Sequence, residues 1–222
     1  MKILKKSLLL MLALSLCFGV GCKKSNALLE NVSRVRSNIF KGQTENYEIT
    51  LYPEPRESPL IADGKISDQE KVVIVKLHVK NGNQGNFKVT FTTDKEYTLD
   101  FLFSAYSDCY LSKIQVESLP ISQLTVKIHH NDSSEEVTCK SQLNADTISF
   151  EKALDVVYNA KTDYISQRSQ NKIFNGEVYV RLIEQGGKNF WYVGLITSEQ
   201  TLAILIDGKT QSIIAEKLIL NN

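Results

Sequence analysis

The chain has 222 residues, of which 42% are hydrophobic, and it carries 26 Lys and Arg against 25 Asp and Glu. This apolar content is enough for packed cores, so the composition excludes a disordered chain. The balanced charge excludes the clustered basic excess that marks nucleic-acid-binding proteins. We therefore predict a globular protein with no nucleic-acid partner.

The first predicted element is an export signal. Residues 1–6 are basic, residues 7–20 carry no charge, and Gly21-Cys22 follows. The uncharged run is shorter than the roughly 20 apolar residues that a membrane-spanning helix needs. A basic segment followed by a short apolar one is typical of a secretory signal. We predict that residues 1–21 are a signal peptide and that residues 22–31 are a polar tether.

The residues before Cys22 resemble the lipobox of bacterial lipoproteins. Val20 and Gly21 fit that pattern, whereas Gly19 stands where the family usually has leucine. The resemblance implies acyl chains such as palmitate on Cys22, at about 0.8 kcal/mol of membrane binding per buried CH₂. It places the protein on the extracytoplasmic face of a cell membrane. Ordinary cleavage after Gly21 and an uncleaved anchor stay open as alternatives.

Residues 32–145 contain extended segments separated by turns. The segments alternate apolar with polar residues, as strands with one solvated face do. They are Tyr47–Tyr52, Val72–Val79, Phe87–Thr92, Tyr97–Phe103, Leu124–Ile128 and Glu136–Cys139. Short strands with no helix between them predict an antiparallel β-sandwich, and a partly open barrel fits the same pattern.

Residues 146–222 are predicted to form an α+β domain. With Ser149 as N-cap, apolar residues recur at helical spacing as far as Tyr158. Four strands follow, and we expect the helix to pack on them. They are Glu177–Ile183, Phe190–Ile196, Thr201–Ile206 and Ser212–Leu218, with hairpin turns at 186–188 and 207–209.

This C-terminal unit resembles a PepSY-type domain, in which a helix with an Ala-Leu step packs on a small antiparallel sheet ending in a D-x-x-T-G-x-I turn. The matching residues are Ala153-Leu154, the strand around Trp191, and 207–213, where Gln211 replaces the family's glycine. The resemblance implies an extracytoplasmic binding or regulatory module without chemistry. The stretch before it resembles uncharacterised lipoproteins of clostridia-like bacteria, which implies no function.

The sequence carries no catalytic motif of the G-x-S-x-G, S-x-x-K, H-E-x-x-H or P-loop kind. We therefore predict that the protein is not an enzyme and holds no cofactor. His129 and His130 precede acidic residues, but neighbours on a strand point to opposite faces, so we predict no metal site there. His78 is predicted to lie on a polar strand face.

Two cysteines remain once Cys17 is assigned to the signal and Cys22 to the lipid. Outside the cytoplasm, Cys109 and Cys139 either form a disulfide, which would stabilise the fold by roughly 3–4 kcal/mol, or stay as buried thiols. The sequence leaves both alternatives open.

A contact surface is predicted at Tyr52, Arg56, Phe190 and Tyr192. Prolines fix the conformation of the loop that follows Tyr52, and this rigid loop is predicted to present Tyr52 and Arg56 to a partner. The alternative is that the prolines protect a strand edge from aggregation. Alternation buries Trp191 and turns Phe190 and Tyr192 outward.

We predict a non-catalytic, membrane-anchored protein that binds a protein or an envelope polymer. The alternatives are a lipoprotein that binds a small molecule or carbohydrate, and a hydrolase with an unrecognised site.

Overall fold

The computed structural model describes residues 28–57, 69–82, 85–120 and 122–221. In these ranges the protein is mainly β, with two α-helices. The predicted signal peptide and Cys22 lie outside the described residues. No helix in the described ranges is long and apolar enough to cross a membrane.

The strands are numbered in chain order. They are β1 (Val32–Arg36), β2 (Phe40–Gln43), β3 (Tyr47–Pro53), β4 (Arg56–Glu57), β5 (Gln69–Glu70), β6 (Val72–Val79), β7 (Phe87–Thr92), β8 (Glu96–Asp100), β9 (Leu102–Ser104), β10 (Cys109–Gln115), β11 (Gln123–His130), β12 (Ser133–Ser141), β13 (Ser169–Gln170), β14 (Ile173–Phe174), β15 (Glu177–Gln185), β16 (Lys188–Ile196), β17 (Gln200–Asp207) and β18 (Ile213–Leu220). The helices are α1 (Phe150–Ala160) and α2 (Thr162–Gln167).

Nine strands form one antiparallel sheet in the order β8-β7-β11-β12-β2-β3-β6-β10-β9. Several of these strands bury every second residue, as does β11, where Leu124, Val126 and Ile128 point into a single core. The sheet curls on itself, because β8 at one edge contacts β10 next to the other edge. The predicted antiparallel, sandwich-like or barrel-like architecture is confirmed at this level.

The segment Tyr97–Phe103, predicted as one strand, is two strands at opposite edges of this sheet. β8 pairs with β7, whereas β9 pairs with β10. The sheet is nearly closed at Phe101, so its two edges lie close together. A single residue, Phe101, therefore connects β8 at one edge to β9 at the other. Period-2 alternation cannot reveal such a change of partner.

Seven strands form the second sheet, in the order β18-β17-β16-β15-β1-β4-β5. The strands β15 to β18 make the predicted antiparallel meander, and β1 pairs with β15 in parallel. Ser149 caps α1 as predicted, since its side chain accepts a hydrogen bond from the Lys152 amide at 3.3 Å. The helix buries Ala153, Leu154 and Val157 against one face of this sheet.

The predicted boundary between residues 32–145 and 146–222 is wrong, because β1, β4 and β5 belong to the C-terminal sheet. Val32 and Ile39 lie in the same core as α1. The predicted tether 22–31 also ends too late: Leu28 is fully buried, and Asn31 Nδ2 donates to the carbonyls of Phe174 and Gly176 at 2.9 Å each. Burial of the apolar side chains of Leu28, Val32 and Ile39 in this core stabilises the pairing of β1 with the seven-stranded sheet rather than with the nine-stranded one.

Candidate functional site

A row of arginine and tyrosine side chains is the most distinctive polar feature of the described residues. It runs from the end of β3 across β1 and β15 to β16, on the face of the seven-stranded sheet opposite α1. Consecutive members are in contact through cation–π pairs or a shared carboxylate. The arginine–tyrosine row consists of Tyr52, Arg36, Arg34, Tyr179, Arg181 and Tyr192.

Strand register explains why these side chains share one face. Arg34 lies opposite Tyr179, and Arg36 lies opposite Arg181, across the parallel β1–β15 pair. Arg181 in turn lies opposite Tyr192 across the antiparallel β15–β16 pair. Directly opposed residues in a sheet point to the same side, so three strands of the seven-stranded sheet contribute to the row, in addition to Tyr52 of β3.

Glu54 holds two of the arginines. Its side chain is completely buried; Arg36 donates to Oε2 through Nε at 3.0 Å and Nη2 at 2.7 Å, and Arg34 donates to Oε1. Burial alone would raise the pKa of Glu54, but attraction to Arg36 and Arg34 and their hydrogen bonds outweigh it and lower the pKa. The carboxylate therefore stays ionised, and the Arg36 guanidinium carbon lies 4.2 Å from the centre of the Tyr52 ring.

Arg181 is placed differently from Arg34 and Arg36. Its guanidinium carbon lies 5.7 Å from the Tyr179 ring centre and 5.9 Å from that of Tyr192. Its Nε is buried and has no hydrogen-bond partner within the described parts of the chain. Desolvation, followed by repulsion from Arg34 and Arg36, lowers the pKa of Arg181. Arg181 is therefore a partly buried cation beside two like charges.

The rest of this face is a half-buried apolar surface, which we call the open face. It comprises the residues of β15, β16 and β17 that point away from α1, including Ile183, Phe190, Tyr192 and Leu205. Trp191, between the two aromatics, points the other way, as predicted: it is 2% exposed and its Nε1 donates to the Ile148 carbonyl at 2.9 Å.

Gly194 leaves space for the ring of Tyr192 to lie along the strand. A methyl group placed on Gly194 would come within 3.0 Å of the Tyr192 hydroxyl oxygen and 3.2 Å of a ring carbon. Gly194 is opposite Tyr179 in the β15–β16 pair, and the Tyr192 ring centre lies 5.9 Å from the Arg181 guanidinium carbon. The glycine thus leaves room for the Tyr192 ring beside Arg181.

Three of the four predicted contact residues come together here. Tyr52 and Tyr192 are members of the arginine–tyrosine row, and Arg56 lies opposite Arg34 in the β1–β4 pair. Phe190 is two residues from Tyr192 on the same open face. Tyr52 and Arg56 are half-buried in or beside a sheet, so neither is displayed on a free loop as the proline pattern suggested.

Sequence reasoning missed Arg34, Arg36, Glu54, Tyr179 and Arg181. The alternation in Val32-Ser33-Arg34-Val35-Arg36 would have predicted β1 and placed its two arginines on one face. No local signal indicates that Glu54 and Arg181 meet them.

The histidines make separate local contacts. His129 Nε2 lies 3.1 Å from Thr90 Oγ1, whereas the ring of His130 stacks on Phe87 with centroids 4.5 Å apart. His78 is exposed, with Nδ1 3.3 Å from the Asp108 carbonyl. Within the described ranges, no three His, Cys, Asp or Glu residues are grouped to hold a metal ion.

The disulfide alternative is wrong, because Cys109 and Cys139 are both free buried thiols. Their strands, β10 and β12, are separated in the sheet by β2, β3 and β6. Neighbouring strands are about 4.8 Å apart, whereas a disulfide needs Cα atoms within roughly 7 Å. Burial raises the pKa of Cys139 to about 12, so this thiol is protonated at neutral pH.

An open groove of about 770 Å³ lies on the nine-stranded sheet, over β2, β3 and β12. Polar side chains, including Lys41, Thr50, Thr138 and Lys140, line it. Lys41 also forms an ion pair with Glu184 of β15, which joins this sheet to the other.

No family model matches the chain, and neither the curated proteins nor the solved structures contain a match.

Proposed function

We propose that the protein is a non-catalytic lipoprotein, anchored through Cys22 on the extracytoplasmic face of a membrane, that binds a protein or envelope-polymer partner through the open face. The supporting observation is the asymmetry of the seven-stranded sheet. Trp191, Val193 and Leu195 are buried under α1 on one face, while Phe190 and Tyr192 are only half-buried on the other. Half-buried aromatics beside arginines are the side chains that most often anchor protein interfaces.

We also propose that residues 146–222 are a PepSY-like module, which fits a binding or regulatory role. A helix on a four-strand meander supports this, as does the turn in which Asp207 Oδ1 accepts from the amides of Lys209 at 2.9 Å and Thr210 at 2.7 Å. The parallel β1 beside β15 is an addition to that pattern.

Small-molecule binding is the second candidate function, because of the groove over β2, β3 and β12. Its lining residues are mostly polar and none is aromatic. Ligand sites are more often enclosed and mainly apolar, with a few converging polar groups. The open face therefore ranks first.

The anchor is tested by metabolic labelling. Cells fed a labelled fatty acid should label the wild-type chain and not Cys22→Ala, because only the Cys22 thiol accepts the lipid. The Ala variant should appear in the medium or as an uncut precursor. Labelling of Cys22→Ala at the wild-type level would refute the lipid assignment.

The contact surface is tested by photo-crosslinking on intact cells. A photoreactive phenylalanine at position 183, opposite Phe190 on the open face, should capture a partner. Introducing Phe190→Ser/Tyr192→Ser into the same chain should reduce partner recovery at least about tenfold, as loss of interface anchors does.

Two controls separate the open face from other surfaces. Phe103→Ser/Tyr106→Ser removes two exposed aromatics at the β9–β10 hairpin, and His129→Ala/His130→Ala removes the histidine pair. Both should capture normally. If Phe190→Ser/Tyr192→Ser captured the partner normally and Phe103→Ser/Tyr106→Ser did not, the contact surface would be the β9–β10 hairpin and not the open face.

A further inference from the structure

The charges of the arginine–tyrosine row are unequally neutralised. Glu54 lies between Arg34 and Arg36 and offsets one of their two charges. Arg181 lies directly opposite Arg36 in the sheet, and its buried Nε has no hydrogen-bond partner among the described residues. Like charges directly opposite each other in a sheet repel, so an anion bound beside Arg181 would stabilise this arrangement.

The donor set around Arg181 suits an anion with two or more oxygens. A guanidinium presents its N–H groups in a planar fork that matches carboxylate and phosphate oxygens. The Tyr179 and Tyr192 rings flank the guanidinium, with their centres 5.7 Å and 5.9 Å from its carbon atom. The buried Nε needs an acceptor, since an unsatisfied buried donor is costly.

We propose that Arg181, flanked by Tyr179 and Tyr192 and assisted by Arg34 and Arg36, is a binding site for an oxyanion, either a carboxylate or a phosphate group carried by the partner. This inference rests on the proposed contact function and adds the chemistry that the partner presents. Phe190 and the other apolar residues of the open face contact the part of the partner next to its anionic group.

The first experiment is a titration of the full mature chain with inorganic phosphate, and separately with acetate, followed through the arginine Nε–Hε signals in ¹⁵N NMR spectra. The Arg181 signal should shift and saturate at millimolar anion, and the anion with the lower Kd identifies the preferred group. Chloride at equal ionic strength should produce no saturable shift, because it lacks the paired oxygens.

Variants separate the site from general electrostatics. Arg181→Gln should abolish saturable anion binding, and Arg181→Lys, which keeps the charge but loses the fork, should weaken it at least about tenfold. Gly194→Ala should weaken it by displacing the Tyr192 ring. The matched control is Arg168→Gln, since Arg168 also stacks on a tyrosine, at 4.0 Å from the Tyr164 ring, but lies outside the row.

Folding is monitored in parallel. Arg181→Gln removes a cation that faces two others, so its melting temperature should equal or exceed that of the wild type. Anion binding that is unchanged in Arg181→Gln, or lost equally in Arg168→Gln, would overturn the oxyanion site.

The two proposals fail in different ways. Partner capture that is lost in Phe190→Ser/Tyr192→Ser but normal in Arg181→Gln would leave the contact function standing and refute the oxyanion inference. Saturable anion binding at Arg181 together with normal capture by Phe190→Ser/Tyr192→Ser would confirm the site and refute the open face as the docking surface.

Discussion

Replacing Glu54 with glutamine is expected to lower the free energy of unfolding by about 3–5 kcal/mol, the usual cost of removing one partner from a buried ion pair. The Glu54 side chain is fully buried and accepts from both Arg34 and Arg36. Glutamine keeps the shape but removes the negative charge, so two partly buried guanidinium groups lose their counter-ion. Urea unfolding followed by circular dichroism measures the difference.

The same substitution should change how stability depends on pH. Since Arg36 and Arg34 hold the pKa of Glu54 below its ordinary range despite burial, the unfolded chain binds this proton more readily than the folded one. The stabilisation is present above the unfolded value of about 4.3 and is lost as the pH falls through the lower folded pKa. Wild-type stability should therefore fall in this acid window, and the profile of Glu54→Gln should be flatter there.

Glu48→Gln is the matched control. Glu48 is exposed, and its ion pair with Lys80 is long, at 3.8 Å. Exposed pairs contribute roughly 0–1 kcal/mol, so this variant should unfold like the wild type. A Glu54→Gln protein with the unfolding free energy and acid profile of Glu48→Gln would show that Glu54 is not the counter-ion of the row.

Local signals in the sequence predicted the elements that depend on neighbours along the chain. The Ser149 cap and apolar helical spacing gave α1, and period-2 alternation gave β3, β6, β7 and β15 to β18 within a few residues. These patterns arise because each element has one buried face, and burial imposes its period on the sequence.

The candidate site depends instead on contacts between distant parts of the chain. Arg34 meets Tyr179 because β1 crosses into the C-terminal sheet and pairs there in parallel. Only the fold brings Glu54, from the connection between β3 and β4, under both arginines of β1. In the sequence Arg181 alternates with apolar residues and resembles a solvated strand position, so its partial burial between two tyrosines could not be predicted.

Trp191→Ala is expected to destabilise the protein by about 3–5 kcal/mol, the range for truncating a fully buried large aromatic side chain. Trp191 is the chain's single tryptophan and lies in the core beneath α1, with Val180 and Leu154. Its removal opens a cavity and also leaves the Ile148 carbonyl without the Nε1–H donor. Unfolding in urea, followed by far-ultraviolet circular dichroism, gives the free energy.

Phe190→Ala supplies the comparison, because it truncates an aromatic residue next to Trp191 on the same strand but on the other face. Phe190 is half-buried on the open face, so its loss removes less apolar contact and no hydrogen bond, and should cost about 1 kcal/mol or less. Since the open face is proposed to dock a partner, Phe190→Ala should reduce partner capture while leaving the fold stable. Trp191→Ala should lower the stability but leave partner capture unchanged at temperatures where the variant stays folded. Equal destabilisation by the two variants would mean that both faces of the sheet are covered, and the open face would then be part of a core and not a contact surface.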